Sequence, residues 1–149
     1  MIKKNIIILS LIFILTNCGF TSIYNNSNNA NFSIEQINFT GDRELNNFLK
    51  INLNKYKNKG VNNKIFIEAV SEYKKTILSK DSTGQATNYQ LEVEVTFSVK
   101  PINKVIKITE KKVIKSMDDK FEESRYERTI KQNIASSISN KLSLELTNN

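Results

Sequence analysis

The chain of 149 residues has no histidine and one cysteine, and these shortages remove most catalytic chemistry before any motif is sought. Without histidine there is no Ser-His or Cys-His pair to activate a nucleophile. Zinc prefers nitrogen and sulfur ligands, so a site built from the remaining carboxylates would be unusual. No metal or cofactor is expected. A lone cysteine cannot close a disulfide within the chain. Neither a glycine-rich dinucleotide or phosphate loop nor an H-E-x-x-H helix is present. Residue count leaves open a carboxylate pair of the glycosidase kind, but such a pair needs a cleft that a domain this small seldom builds. The chain is expected not to be an enzyme.

Long apolar runs are also missing. The longest, residues 6–15, opens the chain behind Lys3 and Lys4. Its length of about ten residues falls well short of the ~20 needed to span a bilayer. The sequence Leu15-Thr16-Asn17-Cys18 follows. A basic start, a short apolar core and then this cysteine have the order of a bacterial secretion signal that is cleaved to leave an acylated cysteine. Residues 1–17 are read as the signal peptide, Cys18 as the lipidation site, and 18–31 as lipid anchor and tether. Asn25-Asn26-Ser27-Asn28-Asn29 is polar and aperiodic, as a flexible tether requires.

The formal net charge is +7, and loss of Lys3 and Lys4 leaves 20 basic against 15 acidic side chains. That excess favours anionic partners: lipid headgroups, lipopolysaccharide phosphates or an acidic protein surface. Nucleic acid fits the charge but not an exported chain, so no nucleic-acid partner is expected.

Beyond the tether, residues 32–39 read as a strand whose apolar parity switches between Ile34 and Ile37, which suggests a bulge or a strand covered on both faces. Thr40-Gly41-Asp42 supplies turn and cap chemistry. Residues 42–56 form a helix, with Leu45, Phe48, Leu49, Leu53 and Tyr56 on one stripe. A long strand follows at 65–78, with Ile65, Ile67, Ala69 and Tyr73 of one parity. Residues 89–99 alternate apolar and polar without a break, which marks a sheet covered on one face. A return strand at 105–113 has Ile106 and Ile108 inward. The last helix shows capping-box spacing at Ser124 and Glu127, with an earlier start near Asp118 as the alternative. Its stripe is read as Tyr126, Ile130, Ile134, Ile138 and Leu142.

The order β-α-β-β-β-α predicts an α+β fold: a two-layer sandwich of a four-stranded mixed sheet with two helices on one face. The arrangement resembles the LPS-assembly lipoprotein family LptE. The likeness is carried by Cys18-Gly19-Phe20 with Tyr24 close behind, the Tyr-x-Leu strand entry Tyr89-Gln90-Leu91, and a C-terminal helix with Asn133-Ile134-Ala135 followed by Ile138 and Leu142. Ser22 stands where proline is common, and Asn88 where family members often carry a basic residue.

The resemblance implies an LptE-like domain over 32–146. It implies a lipoprotein at the periplasmic face of the outer membrane that plugs the β-barrel LptD. It also implies binding of lipopolysaccharide and help in its transport and assembly. Candidate lipopolysaccharide contacts are Lys74, Lys75, Lys80, Lys100 and Lys104. The alternative is an auxiliary lipoprotein of a lipid-trafficking ABC transport system; a small exported enzyme is the reading from a different class. Mass spectrometry of the mature N-terminus tests the first step. Acyl-modified Cys18 as residue one is expected, and a bare thiol on a soluble chain would refute it.

Overall fold

The computed structural model describes residues 30–148. The signal peptide, Cys18 and the tether as far as residue 29 lie outside the described residues. Strand β1 (Ser33–Gly41) leads to helix α1 (Arg43–Leu53) and a 3-10 turn (Asn54–Tyr56). Strands β2 (Lys64–Lys80), β3 (Ala86–Lys100) and β4 (Lys104–Lys115) follow, then helix α2 (Lys120–Thr147). The sheet is four-stranded in the order β1-β2-β3-β4. β1 runs parallel to β2, and the other neighbours are antiparallel. The expected two-layer α+β sandwich with a mixed sheet is the observed fold.

Local chemistry explains each element. The pairing of β1 with β2 shifts register between Ile34 and Gln36, so Glu35 is the extra residue that swaps the strand's parity. Asp42 caps α1 by accepting a hydrogen bond from the Leu45 N–H at 2.7 Å. Leu45, Leu49, Leu53 and Tyr56 are buried, and Phe32 stacks on Tyr56 with ring centroids 5.4 Å apart. β2 is longer than its apolar alternation indicates, 17 residues, because its second half pairs with β3 through polar and charged positions.

The inward row of β3, Leu91, Val93, Val95, Phe97 and Val99, is almost completely buried. At about 1.5–3 kcal/mol for each large apolar side chain removed from water, this row and the helix residues facing it supply most of the driving force. Ile106 and Ile108 of β4 face the same way.

α2 corrects two details of the sequence reading. Its cap is Asp119, which accepts from the Phe121 and Glu122 N–H groups; Ser124 lies inside the helix, and Glu127 turns to the sheet rather than back to a cap. Its buried side is Ile134, Ala135, Ile138, Leu142 and Leu146 in the C-terminal half, but Glu123 and Lys131 in the N-terminal half. Tyr126, assigned to the apolar stripe, is 43% exposed.

The step from β1 into α1 depends on Gly41. Its φ is +99°, and a Cβ there would lie 1.9 Å from the Ser71 carbonyl oxygen of β2. The same carbonyl accepts the Asp42 N–H at 3.2 Å. Gly41→Ala combines a left-handed backbone with a backbone clash, so a loss of at least about 2 kcal/mol is expected. Urea unfolding measures it, and an unchanged midpoint would contradict this account of the crossover.

Candidate functional site

The five lysines singled out from the sequence do not form one site. Lys100 pairs in register with Phe66 of β2, whereas Lys74 stands eight residues farther along that strand. At roughly 3.3 Å per residue that is a separation of about 26 Å. Lys100 and Lys104 also point to opposite faces. Lys100 reaches Glu68 on the open face at 3.5 Å, and Lys104 reaches Glu145 of α2 at 3.1 Å. Lys74 and Lys75 are neighbours and therefore alternate as well. Lys74 is exposed on the open face, and Lys75 is inward beneath α2.

Lys75 sits at the centre of a polar clasp between β2 and α2. Its Nζ donates to Glu127 at 2.8 Å and to Glu123 at 3.0 Å, and it lies 4.2 Å from the centroid of the Tyr89 ring. The Tyr73 hydroxyl donates to the other oxygen of Glu127. Lys131 lies 3.8 Å from the Tyr73 ring centroid and donates to Glu44 of α1 at 3.1 Å, which ties both helices to the same cluster. Glu123 accepts from the Met117 N–H at 2.9 Å, from Ser116 at 3.2 Å and from Lys120 at 3.0 Å.

The protonation states follow. The Met117 N–H, aided by Lys75 and Lys120 against the cost of burial, holds the Glu123 carboxyl down to about 2. Burial opposes charge on Lys75, but the hydrogen bonds it donates to the Glu127 and Glu123 carboxylates outweigh it and raise its pKa. Burial also works against charge on Glu127, and the bonds from Lys75 and Tyr73 prevail and lower its pKa. Burial first, then the bond to Glu127, push the Tyr73 phenol far above its usual range. The cluster is thus a set of satisfied charges whose donors are already committed, and its role is to fix α2 on the sheet.

Free cationic groups lie around it. Among the described residues, Lys74, Lys80, Lys112 and Lys115 make no ion pair. All four stand at the end of the sheet that carries the β2–β3 hairpin. Asn88, next to that turn, pairs with Ser79 on one side and Lys115 on the other. Ile77, Leu78 and Val113 are exposed at the same end. Toward the other end, Lys64, Lys100 and Lys104 are paired with Glu35, Glu68 and Glu145, although, among the described residues, Lys55 and Lys57 beside the start of β1 make no ion pair. The hairpin end therefore offers unneutralised ammonium groups beside apolar side chains, a combination suited to an anionic amphiphile. Among the described residues no cluster of acidic and cysteine side chains could hold a metal, and no helix is long and apolar enough to cross a membrane.

Solved lipoproteins have this fold. It matches the crystal structure of rare lipoprotein B from Shewanella oneidensis with a TM-score of 0.54 and 17% identity, over 74% of this chain and 92% of that one. It matches a minor lipoprotein from Acinetobacter baumannii with a TM-score of 0.50 and 15% identity, over 74% and 94% of the two chains. The solution structure of lipoprotein B from Nitrosomonas europaea gives 0.50 and 16%, over 76% and 86%. No family model and no curated protein matches the sequence. At these identities the likeness is one of fold.

Sequence reasoning found Lys75 but not its partners, because Glu123 and Glu127 are 48 and 52 residues away. A signal was present: acids four residues apart at the start of a helix place charge on one side of it.

The clasp generates a pH prediction. In the unfolded chain Glu123 binds its proton near its ordinary 4.5, whereas in the fold it does so near 2. The carboxylate's contribution is therefore complete above about pH 5 and is lost as pH falls through about 2. Glu123→Gln should lower Tm at pH 7, and the gap from wild type should close as the pH approaches 2. A gap that stays constant across that range would show that the charge of Glu123 contributes nothing.

Proposed function

We propose that this chain is an outer-membrane lipoprotein, facing the periplasm, that plugs the LptD β-barrel and assists lipopolysaccharide binding, transport and assembly. The observation that carries the reading is the conjunction of two features. The sequence places a signal ending in Cys18 ahead of the domain, and the domain has a fold that solved bacterial lipoproteins also have. The resemblance to the LptE family supplies the barrel and the ligand. The architecture suits a plug, because the sheet presents a broad face that neither helix covers.

The proposed chemistry is non-covalent. Lys74 and Lys80 at the hairpin end hold lipid A or inner-core phosphates by charge-assisted hydrogen bonds. Lys75, engaged by two glutamates, holds the surface in shape. Lys100 and Lys104, each already paired, contribute less.

Detergent extraction of the tagged full-length chain tests the barrel. Copurification with a large β-barrel is expected; recovery alone, or with an inner-membrane transport complex, would overturn the reading. Lipopolysaccharide binding tests the lysines. Lys74→Glu with Lys80→Glu should weaken binding by about tenfold or more and flatten its salt dependence. Lys100→Glu with Lys104→Glu should change it by less. The reverse ranking would move the contact to the other end of the sheet.

A further inference from the structure

Among the described residues, β4 has β3 on one side and no strand on the other. The opposite edge of the sheet is closed off differently: β1 is bulged near Glu35, and Ile34 bridges to Lys57. β4 is regular over 12 residues, with no shift of register against β3. Ser116, just past its end, donates its N–H to Thr87 of the neighbouring strand. With that register, alternation turns the even-numbered amides of β4 toward β3 and the odd-numbered ones, from Val105 to Lys115, toward the free edge. An uncovered row of donors and acceptors of this length is a template for another strand.

Beside this edge, a groove of about 410 Å³ opens between β4 and α2, lined by Val113, Tyr126, Ile130 and Asn133 among others. A second, about 530 Å³, continues it past Val105 to Leu144. Tyr126 and Leu144 are exposed apolar side chains along this line, and Val105 and Val113, of the same parity as Lys107, border it from the open face. The strand itself carries five lysines and one glutamate; Lys104, Lys107 and Lys111 are paired with Glu145, Glu94 and Glu92, and, among the described residues, Lys112 and Lys115 make no ion pair. A second copy of β4 laid alongside would bring like charge to like charge, so the edge is guarded against its own kind. The same charge selects an acidic chain.

We propose that the free edge of β4 receives an extended segment of another polypeptide, one that alternates apolar and acidic residues and adds a fifth strand to the sheet. Its apolar side chains enter the grooves beside α2, and its carboxylates lie along the open face with Lys107, Lys111 and Lys115. Backbone pairing supplies affinity, and alternation with charge supplies selectivity. The lipopolysaccharide contact proposed above rests on Lys74 and Lys80 of β2, whereas this inference rests on the backbone edge of β4, whose Lys115 stands at the same end of the sheet.

The probe is a labelled nine-residue peptide alternating valine and glutamate, measured by anisotropy together with amide hydrogen exchange. Binding with at least about tenfold slower exchange at Lys107, Thr109, Lys111 and Val113 is expected. Val113→Pro removes an outward amide and no ladder bond, so it should leave Tm nearly unchanged and weaken the peptide by about tenfold or more. Should that variant unfold, Lys111→Glu with Lys115→Glu gives the second reading: weaker binding of the glutamate peptide and a gain for a valine–lysine peptide. The proposal is overturned by equal binding of a peptide with the valines and glutamates in separate blocks. It is also overturned by unchanged exchange on β4, by absence of binding, or by sedimentation as a dimer whose β4 edge is already protected.

Discussion

The helices cover one face of the sheet and nothing in the described chain covers the other, and this imbalance governs the rest of the molecule. The central strand β3 has to be apolar on every second residue and water-compatible on the residues between. Its inward row is sealed by α2 and α1, while its outward row reads Gln90, Glu92, Glu94, Thr96, Ser98. The outward carboxylates meet lysines across the strand, Glu94 with Lys107 at 2.6 Å and Glu92 with Lys111 at 3.2 Å. Exposed pairs of this kind contribute little to stability, because solvent and salt screen them. Their larger effect is to keep a wide face hydrated in the free chain without building a second core. Exposed Phe66, Val70, Val105 and Val113 interrupt the polar residues of this face and give a partner surface apolar area to cover.

The second consequence concerns α2. A helix of 28 residues is longer than the apolar part of the face beneath it, so its N-terminal half needs another way to attach. The clasp of Tyr73, Lys75, Glu123, Glu127 and Lys131 does this with charge. Removing one member from such a cluster costs more than the cluster contributes as a whole, since the remaining partners are left without compensation. The reward is orientation: ionic partners fix the rotation and register of the helix more narrowly than interchangeable aliphatic side chains do. Glu44 extends the same logic to α1, pairing with Lys131 at 3.1 Å and Arg128 at 3.3 Å.

Most of this architecture was legible in the sequence, and the failures have one geometric cause. Strands advertise themselves by a period of two, which is exact, and the alternation along β3 gave both its extent and its buried face. The parity switch in β1 likewise marked the bulge at Glu35. Helices repeat every 3.6 residues, so a series spaced by fours turns about 40° at each step. From Tyr126 to Leu142 that series rotates nearly halfway round the axis, and it cannot stay on one face. The real inward stripe passes through Glu123, Glu127 and Lys131 and then takes a step of three to Ile134. Its first members are charged, so hydrophobicity alone placed exposed Tyr126 on the stripe, while Ile134, Ile138 and Leu142 are buried as expected. The lysines were misgrouped for a similar reason. Adjacent residues on a strand look like a cluster in sequence, but alternation sends Lys74 and Lys75 to opposite faces.

The two ends of the sheet also differ in what they can meet. Ser33 pairs with Lys64 at the start of β2, so the chain enters the fold at the end opposite the β2–β3 hairpin. The hairpin with Lys74 and Lys80 lies at the far end of a strand of 17 residues, about 55 Å away at full extension. In the proposed lipoprotein, the segment from Cys18 to Phe32 spans at most about 50 Å when drawn out. With the sheet upright, holding the hairpin against the leaflet that carries the acyl chains would stretch that segment almost fully, at a large cost in chain entropy. The relaxed arrangement puts the unpaired ammonium groups of the hairpin end well away from the anchoring headgroups. Phosphates that reach them have to be presented by a ligand carried within a larger assembly, and the uncovered sheet face and the open β4 edge are the surfaces left to hold that assembly.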